Sequence, residues 1–142
     1  PTNPYAAYAA DNMGKHKVPT VRNVGLGLQP DGEFVKAYAH NGYFKSLEGI
    51  VHFYNTRDVK PVCPLHLDGR PYTEAEALAA NCWPAPEVVK NVNNAELGDL
   101  GLSDEEEAAI VAFLKTLSDG YAMGGRPGQV KKLFVTNRAR SR

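Results

Sequence analysis

The clearest periodic pattern in the chain lies just before its middle. Four apolar residues recur at the i, i+3, i+4, i+7 spacing of one helix face: Leu47, Ile50, Val51 and Tyr54. Ser46 is a good N-cap, and Glu48 falls in the first turn, where a negative charge is stabilised. The pattern therefore predicts a helix that starts at Ser46 and stops near Asn55.

A second and stronger helix is predicted from about Asp104 to Leu117. Ser103 precedes it, Glu106 stands three residues on, and the acidic run from Asp104 to Glu107 occupies the first turn. Gly120 is expected to end it. The predicted buried stripe consists of Ile110, Phe113, Leu114 and Leu117.

The remaining chain predicts short helices and long connections. Thr73 and Glu76 form a Thr-x-x-Glu capping box that predicts a helix over Thr73–Ala80. Residues 1–15 are expected to form a surface strap or a short helix around Tyr5–Ala10. Residues 16–45 are rich in glycine and proline, which favours an ordered loop. The predicted fold class is mainly α, with long ordered loops.

Composition places the chain among ordinary globular proteins. Its 142 residues suit one domain. Lys and Arg together number 16, and so do Asp and Glu together. A net charge of zero gives no field that would recruit nucleic acid or an anionic membrane. The absence of a run of 18 apolar residues predicts no membrane span. The segment 126–142 is basic, and it is interpreted as a solvated tail or as a docking site for an acidic redox partner.

The two cysteines, Cys63 and Cys82, lie in an irregular stretch bounded by prolines, and neither belongs to a Cys-x-x-Cys pair. We expect a disulfide between them, which would indicate an oxidising compartment such as the periplasm. Two free buried thiols are the alternative. The chain starts Pro-Thr-Asn-Pro rather than with Met, which suggests a processed or truncated product.

Several motifs occur in an ordered series that no simple period explains. The series is Lys17-Val18-Pro19-Thr20-Val21-Arg22-Asn23-Val24, then Tyr38-Ala39-His40-Asn41-Gly42, then Ser46-Leu47-Glu48 to Tyr54-Asn55, then Gly101-Leu102-Ser103-Asp104-Glu105-Glu106. In this order it resembles the carboxy-terminal haem domain of the bacterial di-haem cytochrome c peroxidases and the related methylamine-utilisation (MauG-like) enzymes. Matches run from about His16 to Tyr121.

The resemblance implies a cytochrome c-like helical domain. Residues 1–125 would form a portion of the carboxy-terminal haem domain, followed by the tail 126–142. The chain lacks Cys-x-x-Cys-His, so haem c would be attached through a segment absent from it. The implied partners are the remainder of the di-haem enzyme, which carries those motifs, and a small redox protein that donates electrons. A calcium ion between the two haem domains is also implied, with no ligands placed on this chain.

The resemblance implies that four residues line a haem pocket. Ala39 stands where the family has a methionine whose sulfur is the distal axial ligand, so the iron would be five-coordinate, bind water or recruit a neighbour. His40 is the nearest axial candidate. Arg22 would bind a propionate, or else form a structural salt bridge or carbonyl clamp. Tyr38 would wall the porphyrin, bind a propionate or pack in the core.

The other histidines have simpler interpretations. His52 lies within the predicted helix and is expected to be structural or exposed, and His66 lies in the loop of prolines and cysteines and is expected at the surface.

Three functions remain open. The first is part of a di-haem peroxidase that reduces hydrogen peroxide with donated electrons, inactive as this chain alone. The second is an electron-transfer cytochrome or a MauG-like oxidation module without peroxidase activity. The third is a haemless binding or assembly fragment.

Overall fold

The structure is a computed structural model that describes residues 3–25 and 37–117. Within these ranges the chain is helical, with α1 at Ala9–Asn12, α2 at Leu47–Thr56, α3 at Glu74–Ala79 and α4 at Asp104–Thr116. Two short 3-10 turns, Ala6–Tyr8 and Val89–Asn91, complete the helical elements. The described ranges contain no strand, only isolated bridges between Tyr38 and Phe44 and between Val62 and Trp83. The mainly α prediction is confirmed for these residues.

All three main helices begin at the caps that the sequence predicts. The Ser46 side chain accepts a hydrogen bond from the Gly49 backbone N–H. Thr73 and Ser103 each form a complete capping box with the glutamate three residues on. These caps satisfy N–H groups that the first helical turn leaves unpaired, which explains why the predicted starting points are correct.

Helix α2 is the central element because it contacts both hydrophobic clusters. Leu47 and Val51 pack with Val111 of α4 in one cluster. Phe53 and Ile50 pack against the second cluster, whose buried members are Phe44, Cys63, Ala77, Cys82 and Trp83. Trp83 is 2% exposed and donates its indole N–H to the Thr56 hydroxyl at 3.0 Å.

The predicted buried stripe of α4 is wrong in its rotation about the helix axis. Val111 is the buried residue of α4, whereas Ile110 and Phe113 are 37% and 61% exposed. Leu114 and Leu117 are partly buried. Residues 108–114 of this helix are all apolar, so periodicity alone does not choose the buried face. The choice is made by Glu107, one turn before Val111, which hydrogen-bonds to α2.

The disulfide prediction is confirmed by a bond between Cys63 and Cys82, 19 residues apart. Backbone pairing supports it, because the Cys63 N–H donates to the Trp83 carbonyl at 2.8 Å and the Trp83 N–H donates to the Pro61 carbonyl at 3.0 Å. The bond thus fixes the loop around the buried tryptophan.

Some predictions concern residues outside the described ranges. They are the helix end at Gly120, the domain boundary at residue 125, the basic tail 126–142 and part of the loop 16–45. The one-domain division stays a prediction.

Among the helices of the described residues, none is long and apolar enough to cross a membrane.

A buried carboxylate holds α3 against the start of α2. Glu74 is 8% exposed, and its Oε2 accepts a hydrogen bond from the Lys45 N–H at 2.6 Å. Its position beside the amino end of α2 is favourable for a negative charge. Gly49 permits this approach, since a Cβ there would lie 1.7 Å from Glu74 Oε1.

We expect Gly49→Ala to lower the free energy of unfolding by about 1–2 kcal/mol, because the new methyl group must displace the Glu74 carboxylate from its bond to Lys45. In a Glu74→Ala background the same change should instead stabilise by about 0.5–1 kcal/mol, because alanine is the better helix former. Urea unfolding of the four proteins measures both signs. Equal effects of Gly49→Ala in the two backgrounds would contradict the contact.

Candidate functional site

The segment from Ala39 to Gly42 forms a tight turn. Ala39 has a φ of 65° and Gly42 has a φ of 67°, both in the left-handed region. The Gly42 N–H donates to the Ala39 carbonyl at 3.2 Å, and the flanking residues Tyr38 and Phe44 pair across the turn. Left-handed backbone costs a residue with a Cβ about 1 kcal/mol. Such strain is concentrated at functional sites in proteins, which makes position 39 a site candidate.

His40 belongs to a polar cluster at the surface. Its ring stacks on that of His16, with centroids 4.1 Å apart and 19° between the planes. Its Nε2 lies 3.2 Å from Glu87 Oε2, and Asn41 Nδ2 donates to the other oxygen of Glu87 at 3.0 Å. These contacts, first that of His40, lower the pKa of Glu87. For His40 to bind a metal through Nε2, it would have to leave Glu87.

A cleft of about 870 Å³ opens beside Ala39 and His40. This is within the range of about 300–1,000 Å³ that is usual for small-molecule and cofactor sites. Four aromatic side chains line it: Tyr43, Phe44, Phe53 and Tyr54. Pro84 and Pro86 line it as well, and its charged residues are Lys15, Arg57, Glu87 and Lys90. The cleft therefore combines aromatic walls with mostly cationic charges.

The amino-terminal segment forms one wall of the cleft. Gly14, Lys15 and His16 line it, and Asn91 Nδ2 holds the segment by donating to the Met13 carbonyl at 2.9 Å. Gly14 has a φ of 77° and packs so closely that a Cβ there would lie 2.7 Å from Val88 Cβ. This wall depends on contacts more than 70 residues apart in sequence, such as those of Asn91 with Ala10 and Met13, which are 81 and 78 residues away.

Arg57 is a cleft residue that the sequence does not single out. Its Nε and Nη2 donate to both oxygens of Asp58, and Nη2 also donates to the Asn93 and Leu97 carbonyls at 2.8 and 3.0 Å. Gly98 allows this arrangement, since a Cβ there would lie 2.2 Å from Asp58 Oδ2. The guanidinium lowers the pKa of Asp58 through its hydrogen bonds. Arg57 is therefore held in place at the cleft as the cationic member of an ion pair with Asp58.

The four residues of the predicted haem pocket separate into two groups. Ala39 and His40 line the cleft, whereas Tyr38 and Arg22 are not among its lining residues. The Tyr38 side chain packs with both hydrophobic clusters and donates its hydroxyl to the Val24 carbonyl at 3.2 Å. Arg22 is exposed, and its backbone N–H donates to the Thr20 hydroxyl.

No group of three or more His, Cys, Asp and Glu side chains in the described ranges is arranged to hold a metal ion. Cys63 and Cys82 are the two cysteines of the sequence, and their sulfurs are bonded to each other. In this state neither can form a thioether bond to a haem.

Tyr43, which lines the cleft, should make the stability of the protein depend on pH in the alkaline range. Burial, and next the negative charges of Glu74 and Glu76, raise the pKa of Tyr43 to about 12. The unfolded chain therefore loses this phenol proton first, and stability falls as pH rises from about 10 towards 12. We expect Tyr43→Phe to weaken this fall, with little cost near neutral pH because the Tyr43 hydroxyl has no hydrogen-bond partner among the described residues.

Urea unfolding at several pH values between about 9 and 12 measures the effect. Tyr5→Phe is the matched control, because Tyr5 is 74% exposed. An alkaline loss of stability that is identical in Tyr43→Phe and the parent would contradict the prediction.

The geometry defines a class of protein: a mainly helical domain, closed by one disulfide, with an aromatic and cationic cleft beside a strained turn. In sequence, the chain is similar to the methylamine utilization protein MauG of Paracoccus denitrificans (strain Pd 1222), with 35% identity over 107 residues. The match covers 75% of this chain and 23% of MauG, so the chain spans about a quarter of that protein's length. The identity supports a distant relationship to the MauG-like and cytochrome c peroxidase group.

No family model matches the chain, and no solved structure matches it.

Proposed function

We propose that this chain forms one wall of a haem pocket in a periplasmic di-haem c-type cytochrome related to the cytochrome c peroxidases. The observation that carries the proposal is the 870 Å³ cleft beside Ala39, the position where the family resemblance puts the distal axial ligand. The same proposal includes a cytochrome c-like fold for this chain. It also includes two partners: the remainder of the di-haem enzyme, which carries the Cys-x-x-Cys-His motifs, and a small redox protein that donates electrons.

The residues of the cleft suit a planar, apolar group with acidic substituents. Tyr43, Phe44 and Phe53 would contact the flat faces or edges of a porphyrin. Arg57 and Lys90 would pair with its propionates, a role that the sequence resemblance gives to Arg22. Within the described residues, Arg57 Nη1 makes no hydrogen bond and is the donor left for a carboxylate.

Attachment and axial ligation limit what this chain can contribute. Since the sulfurs of Cys63 and Cys82 bond to each other, covalent attachment would come from another segment. Haem, when bound, supplies one-electron chemistry. The Ala39 side chain carries no donor atom, so this chain would leave the distal position beside residue 39 open to water or a neighbouring group.

The open position at Ala39 also favours a second candidate. An electron-transfer cytochrome, or an oxidation module of the MauG-like type without peroxidase activity, would tolerate an altered sixth ligand equally well. A calcium site stays part of the family-level proposal, with no ligands assigned on this chain.

The test is the visible spectrum of the polypeptide that contains this chain, produced with haem, in its parent form and as Ala39→Met. We expect a Soret band that changes with peroxide in the parent. Methionine at position 39 should shift the spectrum towards six-coordinate haem and raise the reduction potential. Ala75→Met, at an exposed position of α3 that does not line the cleft, is the matched control.

Each result separates the functions. A Soret band that follows reductant and ignores peroxide would favour the second candidate. A spectrum that Ala39→Met leaves unchanged would contradict the pocket at this cleft. Absence of any Soret band would contradict haem binding and favour the third function, a haemless binding or assembly fragment.

A further inference from the structure

A hydrogen-bonded series of three ionisable side chains lies outside the cleft. Lys60 Nζ is 2.5 Å from His52 Nε2, and His52 Nδ1 is 3.0 Å from each oxygen of Glu107. A lysine ammonium has only donors, so His52 Nε2 must be the acceptor. His52 Nδ1 then carries the hydrogen that is donated to Glu107.

The structure fixes the carboxylate end of this series. Glu107 lies on α4 and its side chain is 14% exposed. Asn55 Nδ2 donates to Glu107 Oε1 at 2.6 Å, and the same amide group bonds to both the carbonyl and the N–H of Leu102. Because α2 and α4 pack together through Leu47, Val51 and Val111, Glu107 keeps the His52 ring in one orientation.

We infer that Lys60 is an activated amine that forms imines with small uncharged aldehydes, with His52 as the proton acceptor and Glu107 as its positioning residue. An amine, an adjacent base and a group that orients the base are the usual parts of an activated nucleophile. The inference does not depend on haem binding.

The steps balance without an oxidant or reductant. The Lys60 ammonium gives a proton to His52 Nε2, and the resulting imidazolium is paired with Glu107. The free amine adds to the carbonyl carbon and forms a carbinolamine. The proton returns from His52 as the carbinolamine loses water, which leaves a protonated imine on Lys60 and a neutral His52.

The surroundings of Lys60 favour the neutral amine and an uncharged reagent. Burial lowers the pKa of Lys60, and the negative charge of Glu107 opposes this only in part. Lys60 is half-buried, and its neighbours Val59 and Val62 are each 63% exposed. A half-buried amine suits an aldehyde without charge, because a charged reagent would have to lose water to reach it.

The groups that face Lys60 come from three parts of the described chain. Glu107 of α4 is the charged group that acts on it, and His52 of α2 is the titratable group in contact with it. Trp83, next to the disulfide, presents its ring 5.4 Å from Lys60 Nζ. The ring favours the ammonium form modestly, so the proton transfer depends on burial and on His52.

The test is limited reductive alkylation of the full chain with benzaldehyde and cyanoborohydride, with the modified lysines mapped by peptide mass spectrometry. The exposed Lys90, whose side chain is 67% exposed, is the internal reference. Near neutral pH we expect Lys60 to react several-fold faster than Lys90, because His52 lies within hydrogen-bond distance to accept the proton that the Lys60 ammonium must lose.

His52→Gln is the decisive variant, because glutamine can hydrogen-bond to both neighbours but does not take up a proton. It should remove the rate advantage of Lys60 and leave the rate of Lys90 unchanged. Should this variant fail to fold, the pH profile of the parent decides, and labelling of Lys60 should rise at lower pH than labelling of Lys90. Equal rates for the two lysines, or an unchanged Lys60 rate in a folded His52→Gln protein, would overturn the inference.

Discussion

Reduction of the bond between Cys63 and Cys82 is expected to lower the free energy of unfolding by about 3 kcal/mol. The cysteines are 19 residues apart, and the estimate follows from the freedom that an unfolded chain regains when a loop of this length opens. Both side chains are buried, at 7% and 4% exposure, so the bond also packs in the core with Trp83. The loss should therefore be large for a domain of this size.

Denaturant unfolding of the oxidised and reduced protein measures this loss, with fluorescence of Trp83, the one tryptophan of the sequence, as the probe. The double variant Cys63→Ala/Cys82→Ala is the matched control, and it should resemble the reduced parent whether or not reductant is present. A difference between the oxidised and reduced parent below about 1 kcal/mol would show that the bond adds little to the backbone pairing around Trp83.

Replacement of Asn55 by alanine is also expected to lower the free energy of unfolding by about 3 kcal/mol. Asn55 is 5% exposed. Its amide group donates to the Leu102 carbonyl at 2.9 Å and to Glu107 at 2.6 Å, and it accepts from the Leu102 N–H at 3.0 Å. Alanine would leave these three partners in a largely water-free environment, where unmade hydrogen bonds are costly.

The same unfolding measurement tests this prediction against Asn12→Ala. Asn12 is exposed, and within residues 3–25 and 37–117 its side chain makes one hydrogen bond, to the Tyr8 carbonyl, so its loss should cost no more than about 0.5 kcal/mol. If the two alanine variants were equally stable, the three hydrogen bonds of the Asn55 amide would contribute little to stability.

The sequence is sufficient to locate helix starts because capping is local. Ser46, Thr73 and Ser103 each bond to a backbone group three residues away, within the range that a sequence pattern describes. The rotation of α4 is different, because it depends on Glu107 meeting His52 and Asn55, which lie more than 50 residues earlier. Apolar periodicity carries no information about such a partner.

The candidate site shows the same division between local and distant contacts. The family resemblance singles out Ala39 and His40, and both line the cleft. It does not reveal Arg57 or Glu87, which reach the cleft through contacts formed only after folding. Tyr38 adjoins Ala39 in sequence, yet its side chain packs in the core. Neighbouring residues of an irregular segment need not face the same way, so spacing cannot assign them to one site.

The left-handed backbone at position 39 bears on how this protein could change its chemistry during evolution. Branched side chains such as valine or isoleucine are strongly disfavoured there, whereas glycine and asparagine fit readily and unbranched side chains fit at modest cost. A single codon change could thus add or delete a donor atom beside the cleft while the turn keeps its shape. Descendants with different side chains at the cleft could then arise on one unchanged scaffold.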